Sequence, residues 1–135
     1  MSGPGVKKVL VTGATGYVGN YLLKAIARHN PAVQCLGMSR RGTVRAGETQ
    51  TGELENVSFL AADCTKPETF ENALADVDAV VHCVGILFVK AGQTHDLMNR
   101  DSCINMAAAL QKYAAEAQAK RNFVMISSAK APFFD

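Results

Sequence analysis

Val9-Leu10-Val11-Thr12-Gly13-Ala14-Thr15-Gly16-Tyr17-Val18-Gly19 is the stretch that decides the fold. A short apolar run stops at a glycine and, after a glycine-punctuated turn, a helical pattern begins. Val18, Leu22, Leu23, Ile26 and Ala27 recur at helical spacing from Tyr17, and Asn30-Pro31 ends the pattern. The three glycines serve different needs. Gly13 permits a tight turn, Gly16 lets the backbone approach a diphosphate, and Gly19 allows close helix–strand packing. The unpaired amides and positive end of the following helix then favour an anion. An ordinary strand-to-helix turn is the bland alternative. The position of the motif, after a strand and inside a βαβ unit, favours dinucleotide binding.

Outward from the turn, strand-like and helix-like segments alternate. Val33 to Met38 reads as a second strand, Val57 to Ala61 as a third, Ala79 to Val84 as a fourth and Phe123 to Ile126 as a fifth. The fourth is almost wholly apolar, which suits a strand buried on both faces. Ser39 to Asn56 is rich in Gly, Thr and charge and reads as a loop. Thr65, Pro67 and Glu68 look like a helix start, with the helix running to about Ala75. Asp96 to Lys120 reads as a long Ala-rich helix with Leu97, Ile104, Ala108, Leu110 and Ala114 on its inner side. Strands alternating with helices predict an α/β chain, a doubly wound parallel sheet with helices on both faces. With no linker, repeat or low-complexity tract, residues 1–135 read as one dinucleotide-binding domain.

Composition narrows the function classes. The 135 residues are 48% hydrophobic, and 14 basic against 12 acidic side chains leave a net charge of +2. That balance argues against an electrostatic nucleic-acid binder, an acidic tail and a disordered chain. The longest apolar stretch, Ala79 to Val89, is interrupted by His82 and falls far short of the roughly 18 residues of a membrane-spanning helix. Cys35, Cys64, Cys83 and Cys103 form no CxxC and read as buried thiols in a reducing compartment. His29, His82 and His95 have no metal-ligand spacing, so no metal site is expected. His82, inside an apolar strand, reads as a packing histidine rather than a general base. Lys90 and His95 are either cleft-lining or solvated loop residues.

With these residues in view, the chain resembles the short-chain dehydrogenase/reductase superfamily, in its extended or atypical branch of epimerase/dehydratase-like members. The opening TGxxGxxG carries the resemblance. Asp63 matches the acidic residue that meets the adenine amino group in the family, with Cys64 beside it. Cys83, Val84 and Gly85 match the end of the fourth strand, where the family backbone passes the nicotinamide-side ribose. Asn99 and Asn105 match an NxxxxxN pattern, and Asn122 to Ala129 is similar to the strand carrying the family's serine. The resemblance implies a Rossmann-type sheet of about five strands in order 3-2-1-4-5, with the C-terminal part of the family fold absent. Within that branch, Val81-His82-Cys83-Val84-Gly85-Ile86-Leu87-Phe88 looks most like mitochondrial members associated with coenzyme Q synthesis and with the complex I nucleotide-binding subunit.

The cofactor follows from the second strand's end. NAD-preferring folds place a carboxylate there for the ribose 2′-hydroxyl, whereas this chain has Met38-Ser39-Arg40-Arg41. A guanidinium holds a 2′-phosphate through paired charge-assisted bonds, and Ser39 adds a donor. NADP is therefore expected, with NAD as the alternative. The turn residues Gly13, Thr15, Gly16, Tyr17, Val18 and Gly19 and the strand-end pair Ser39 and Arg40 would contact it, as would Asp63, Cys64, Cys83, Val84, Gly85 and Ser127.

Catalysis is less complete. The resemblance places Ser128 at the serine position, but no Tyr-x-x-x-Lys pair occurs in the chain. Without that pair the chain alone is expected to show no reductase turnover. Three readings stay open: an oxidoreductase or epimerase whose remaining part lies outside this chain, a non-catalytic NADPH-binding structural or redox-sensing subunit, and a scaffold. A substrate is not named by these residues. An exposed fifth strand points to a homo-oligomer or larger complex. The N-terminus offers no targeting signal and implies cytoplasm, while the resemblance implies a mitochondrion.

Overall fold

The computed structural model describes residues 5–42, 54–84, 94 and 96–126. Its elements run β1 (Lys8–Thr12), α1 (Tyr17–His29), β2 (Gln34–Ser39), β3 (Val57–Ala61), two 3-10 turns (Pro67–Thr69 and Glu71–Asp76), β4 (Ala79–His82), a π-turn (Asp96–Asp101) leading into α2 (Ser102–Ala117), and β5 (Asn122–Met125). The strands form one parallel sheet in order β3-β2-β1-β4-β5, the order expected from the sequence. In register, Leu10 of β1 stands between Leu36 of β2 and Val80 of β4.

Alternation along each strand divides the core between the two faces. Leu10, Leu36, Met38 and Val80 pack with Phe70, Leu74, Val77, Met106 and Leu110, beneath the 3-10 turns and α2. Val9, Val11, Cys35 and Ala79 pack with Leu23 and Ala27 of α1. α1 lies tight on the sheet because Gly37 carries no side chain. A Cβ there would stand 2.8 Å from Leu23 and 3.0 Å from Ala14. Residues such as Leu23, with no exposed surface, each contribute on the order of 1.5–3 kcal/mol by burial.

Three expectations about the helices need correction. Val18, at helical spacing with the apolar residues of α1, is 46% exposed, and Gly19 faces the sheet beside the expected Leu23 and Ala27. The segment after Thr65 is not an α-helix. It forms two 3-10 turns hinged at the buried Phe70, and Thr65 caps neither, because its amide and hydroxyl both bond Asp63 Oδ1 at 2.9 and 2.7 Å. In α2 the buried residues are Ser102, Met106, Ala109 and Leu110, while Ile104 and Ala108 are exposed. Leu110 is buried as expected, and Ala114 is half-buried.

Candidate functional site

The strand order reverses between β1 and β4, and a crevice at the carboxyl ends of strands flanking such a reversal is the usual ligand site of this architecture. Gly13 leaves β1 with φ +63°, a left-handed conformation that favours glycine. A Cβ there would lie 3.0 Å from the Cys83 carbonyl oxygen at the exit of β4, so the two strand ends are in close contact. The turn is pinned by Ala14 N–H to the Met38 carbonyl (3.1 Å) and Gly16 N–H to the Gly13 carbonyl (3.0 Å).

α1 begins at Gly16 with no side-chain cap and no acidic residue in its first turn. Its first helical bond runs from Asn20 N–H to the Gly16 carbonyl, so the amides of Tyr17, Val18 and Gly19 precede the helical ladder. A helix N-terminus with free amides and no competing carboxylate suits an anion. Thr15 is half-buried, whereas Gly16, Tyr17 and Val18 are exposed, Tyr17 at 93%. Open space over Gly16 is what backbone approach to a diphosphate requires.

At the end of β2, Ser39 is buried and its Oγ accepts the Gly42 amide at 2.9 Å, which leaves its hydroxyl hydrogen as the available donor. Arg40 is exposed. Past β3, Asp63 is half-buried with Oδ1 held by Thr65. Burial alone would raise its carboxyl pKa. The Thr65 side-chain and backbone hydrogen bonds outweigh that, aided by the positive charges of Lys66 and Arg40, and hold it below the usual range. Arg40 and Asp63 thus act on one patch beside the β2 and β3 ends. Cys64 follows, buried, with its thiol pushed up to about 12 by burial and the Asp63 charge, so it is inert as a nucleophile. Asn105 of α2 donates from Nδ2 to the Cys64 carbonyl at 3.1 Å and fastens this segment to the helix.

Cys83 and Val84 lie at the β4 exit, half-buried. Gly85, Ser127 and Ser128 lie outside the described residues, as do Lys90 and His95 and most of the Ser39–Asn56 loop. Sequence reasoning missed Thr12 and Ser102. His82, a packing histidine by its sequence context, is fully buried, with Nδ1 2.8 Å from Thr12 Oγ1 and Nε2 3.3 Å from Ser102 Oγ. Ser102 is not among the inner positions that helical spacing gives, so no local signal marks it. Among the described residues no group of His, Cys, Asp and Glu could hold a metal, and no helix is long and apolar enough to cross a membrane.

The strand order, the glycine turn at the point of reversal and the uncapped helix define a Rossmann-type nucleotide-binding fold. A family model for the NAD dependent epimerase/dehydratase family matches residues 9–132, and the chain belongs to that family. Vestitone reductase from Medicago sativa is 21% identical over 134 residues, covering 97% of this chain and 41% of its own. An NAD-dependent epimerase/dehydratase from Aspergillus terreus is 31% identical over 87 residues, covering 57% of this chain and 24% of its own. The chain therefore spans less than half the length of these curated relatives. Among solved structures, uronate dehydrogenase from Agrobacterium tumefaciens complexed with NAD shares the fold at TM-score 0.68 and 22% identity, over 90% of this chain and 41% of that one. ElxO with NADP bound does so at TM-score 0.71 and 19% identity, over 96% of this chain and 60% of that one.

Proposed function

We propose that this chain is the NADP(H)-binding part of an oxidoreductase or epimerase of the epimerase/dehydratase family. The observation that carries the cofactor preference is the exposed Arg40 directly after the last residue of β2, Ser39. The amides of Tyr17, Val18 and Gly19 receive the diphosphate over Gly16. The Arg40 guanidinium and the Ser39 hydroxyl meet the 2′-phosphate, which a carboxylate at that strand end would repel. The Asp63 carboxylate, kept ionised by Thr65, accepts from the adenine amino group through its remaining oxygen. Cys83 and Val84, with Gly85 and Ser127, border the nicotinamide half. When bound, the nicotinamide supplies or accepts a hydride.

Ser128 holds the reacting oxygen in this reading. The proton-transferring Tyr-x-x-x-Lys pair does not occur among these 135 residues, which span less than half the length of the curated relatives. The absence of that pair equally favours a second reading, a subunit that binds NADPH without turnover in a larger assembly. Calorimetry with NADPH and NADH tests the cofactor, and wild-type protein is expected to bind NADPH tighter. Arg40→Glu should weaken NADPH by about tenfold or more while NADH is unchanged or improved. Tighter NADH binding by the wild type would overturn the preference. Steady NADPH consumption with a carbonyl substrate, lost in Ser128→Ala, would overturn the expectation that this chain needs a further acid.

A further inference from the structure

Four residues behind the strand ends form one continuous hydrogen-bonded chain. The Cys83 amide donates to Thr12 Oγ1 at 2.9 Å, Thr12 Oγ1 lies 2.8 Å from His82 Nδ1, and His82 Nε2 lies 3.3 Å from Ser102 Oγ. Ser102 Oγ in turn donates to the Met98 carbonyl at 2.6 Å. Chemistry fixes the direction of every link. A carbonyl only accepts, so the Ser102 hydrogen is committed to Met98, and Ser102 must accept from His82. The imidazole therefore carries its proton on Nε2, and its bare Nδ1 accepts the Thr12 hydroxyl. Thr12 is left free to accept the Cys83 amide, and every polar atom of this buried cluster is satisfied in one arrangement.

The chain spans three elements that border the site. Thr12 is the residue from which β1 turns into Gly13, and Gly13 sits against the Cys83 carbonyl. Ser102 begins α2, and its side chain bonds back to the π-turn four residues earlier. The Thr12–Cys83 bond thus sets the spacing between the glycine turn and the β4 exit. The Thr12 hydroxyl can keep that geometry only while something accepts its hydrogen. Phe123 stacks on the imidazole, with ring centroids 6.0 Å apart, and closes the cluster from β5.

We propose that His82 is a positioning residue for the dinucleotide site: its Nε2–H tautomer, fixed by Ser102, orients the Thr12 hydroxyl, which fastens the glycine turn to the end of β4. This role rests on the reading of that turn as the diphosphate site. It distinguishes the two arms of the imidazole, whereas a merely space-filling histidine would not. In His82→Asn the amide oxygen can occupy the Nδ1 position and keep the Thr12 arm. In His82→Gln the amide nitrogen can occupy the Nε2 position and keep only the Ser102 arm.

Both variants are compared by NADPH calorimetry at a temperature where each is folded by circular dichroism. His82→Asn should bind at least about tenfold tighter than His82→Gln, and Thr12→Val should match the weaker variant while Thr12→Ser recovers. Affinities that fall equally in Asn and Gln, with wild-type binding intact, overturn this inference alone. A wild type that binds neither NADPH nor NADH overturns the diphosphate reading and the positioning role with it. Should either variant fail to fold, 15N–1H spectra of the wild-type imidazole decide: a protonated Nε2 with bare Nδ1 supports the relay, and a protonated Nδ1 overturns it.

Discussion

A Cβ on Gly19 would overlap the carbonyl oxygen of Gly13 and stand 3.2 Å from that of Thr12. The first turn of α1 therefore rests directly on the end of β1, backbone against backbone, and neither side can yield by rotating a side chain. Gly16 differs. A Cβ there meets only the Gly13 carbonyl, at 3.2 Å, and the residue is exposed.

Those two glycines should separate stability from binding. Gly19→Ala is expected to cost about 3 kcal/mol or more, read as a lower urea midpoint, because the overlap is with main chain. Gly16→Val should leave stability within about 1 kcal/mol of wild type yet abolish dinucleotide binding by filling the approach to the free amides. Unchanged affinity in Gly16→Val would mean that the anion does not bind at this turn.

The Asn105 bond to the Cys64 carbonyl gives a second measurable consequence. Losing it frees a half-buried carbonyl and unfastens the segment that carries Asp63. Asn105→Ala should cost about 1 kcal/mol of stability and weaken NADPH severalfold, with faster amide exchange at Asp63 to Thr65. Asp63 adds a pH dependence. Its folded pKa lies below the ordinary 3.8, so its contribution is present above that value and is lost as pH falls below it. Exchange at Asp63 that matches wild type would show that Asn105 holds nothing functional.

Much of this architecture was legible because its signals are local. Each apolar run ends at a glycine or turn residue, and in a parallel α/β chain that suffices for the strands. The glycine turn, Ser39-Arg40 and Asp63 fall at strand ends for the same reason. What escaped was tertiary. Thr65 has a capping residue's chemistry, but the Asp63 carboxylate outcompetes the helix for both its groups. On α2 the Ala-rich spacing marks no unique stripe, so Leu110 is buried as expected while Ile104 and Ala108 meet solvent. The roles of Thr12 and Ser102 depend on a histidine 70 and 20 residues away in sequence.

Burial of His82 predicts acid sensitivity. Loss of hydration lowers its pKa from the ordinary 6.5 to about 4, so the unfolded chain binds the extra proton first. The contribution is complete above about pH 6.5 and is lost progressively as pH falls toward 4, amounting to about 3 kcal/mol. Urea midpoints between pH 7 and 4.5 should fall more steeply for wild type than for His82→Gln, which has no titrating ring. Parallel slopes would mean that the imidazole is hydrated.

β5 supplies the last prediction. Among the described residues it is one of the two edge strands of the sheet, and Val124, Met125 and Ile126 are 50%, 50% and 45% exposed. Side chains alternate along a strand, so Phe123 and Met125 face α2, where Met125 reaches Cys103, while Val124 and Ile126 point to the face of α1. α1 packs against β1 and β2 on that face, and among the described residues no helix covers β5 there. An edge strand with a bare apolar face pairs readily with another chain. The 135-residue chain should therefore sediment as a concentration-dependent self-associating species. Val124→Lys with Ile126→Lys should shift it to monomer without changing its far-ultraviolet circular dichroism, since both side chains already meet solvent. A monomer at every concentration in the unmodified chain would show that this face is covered by other residues of the chain itself.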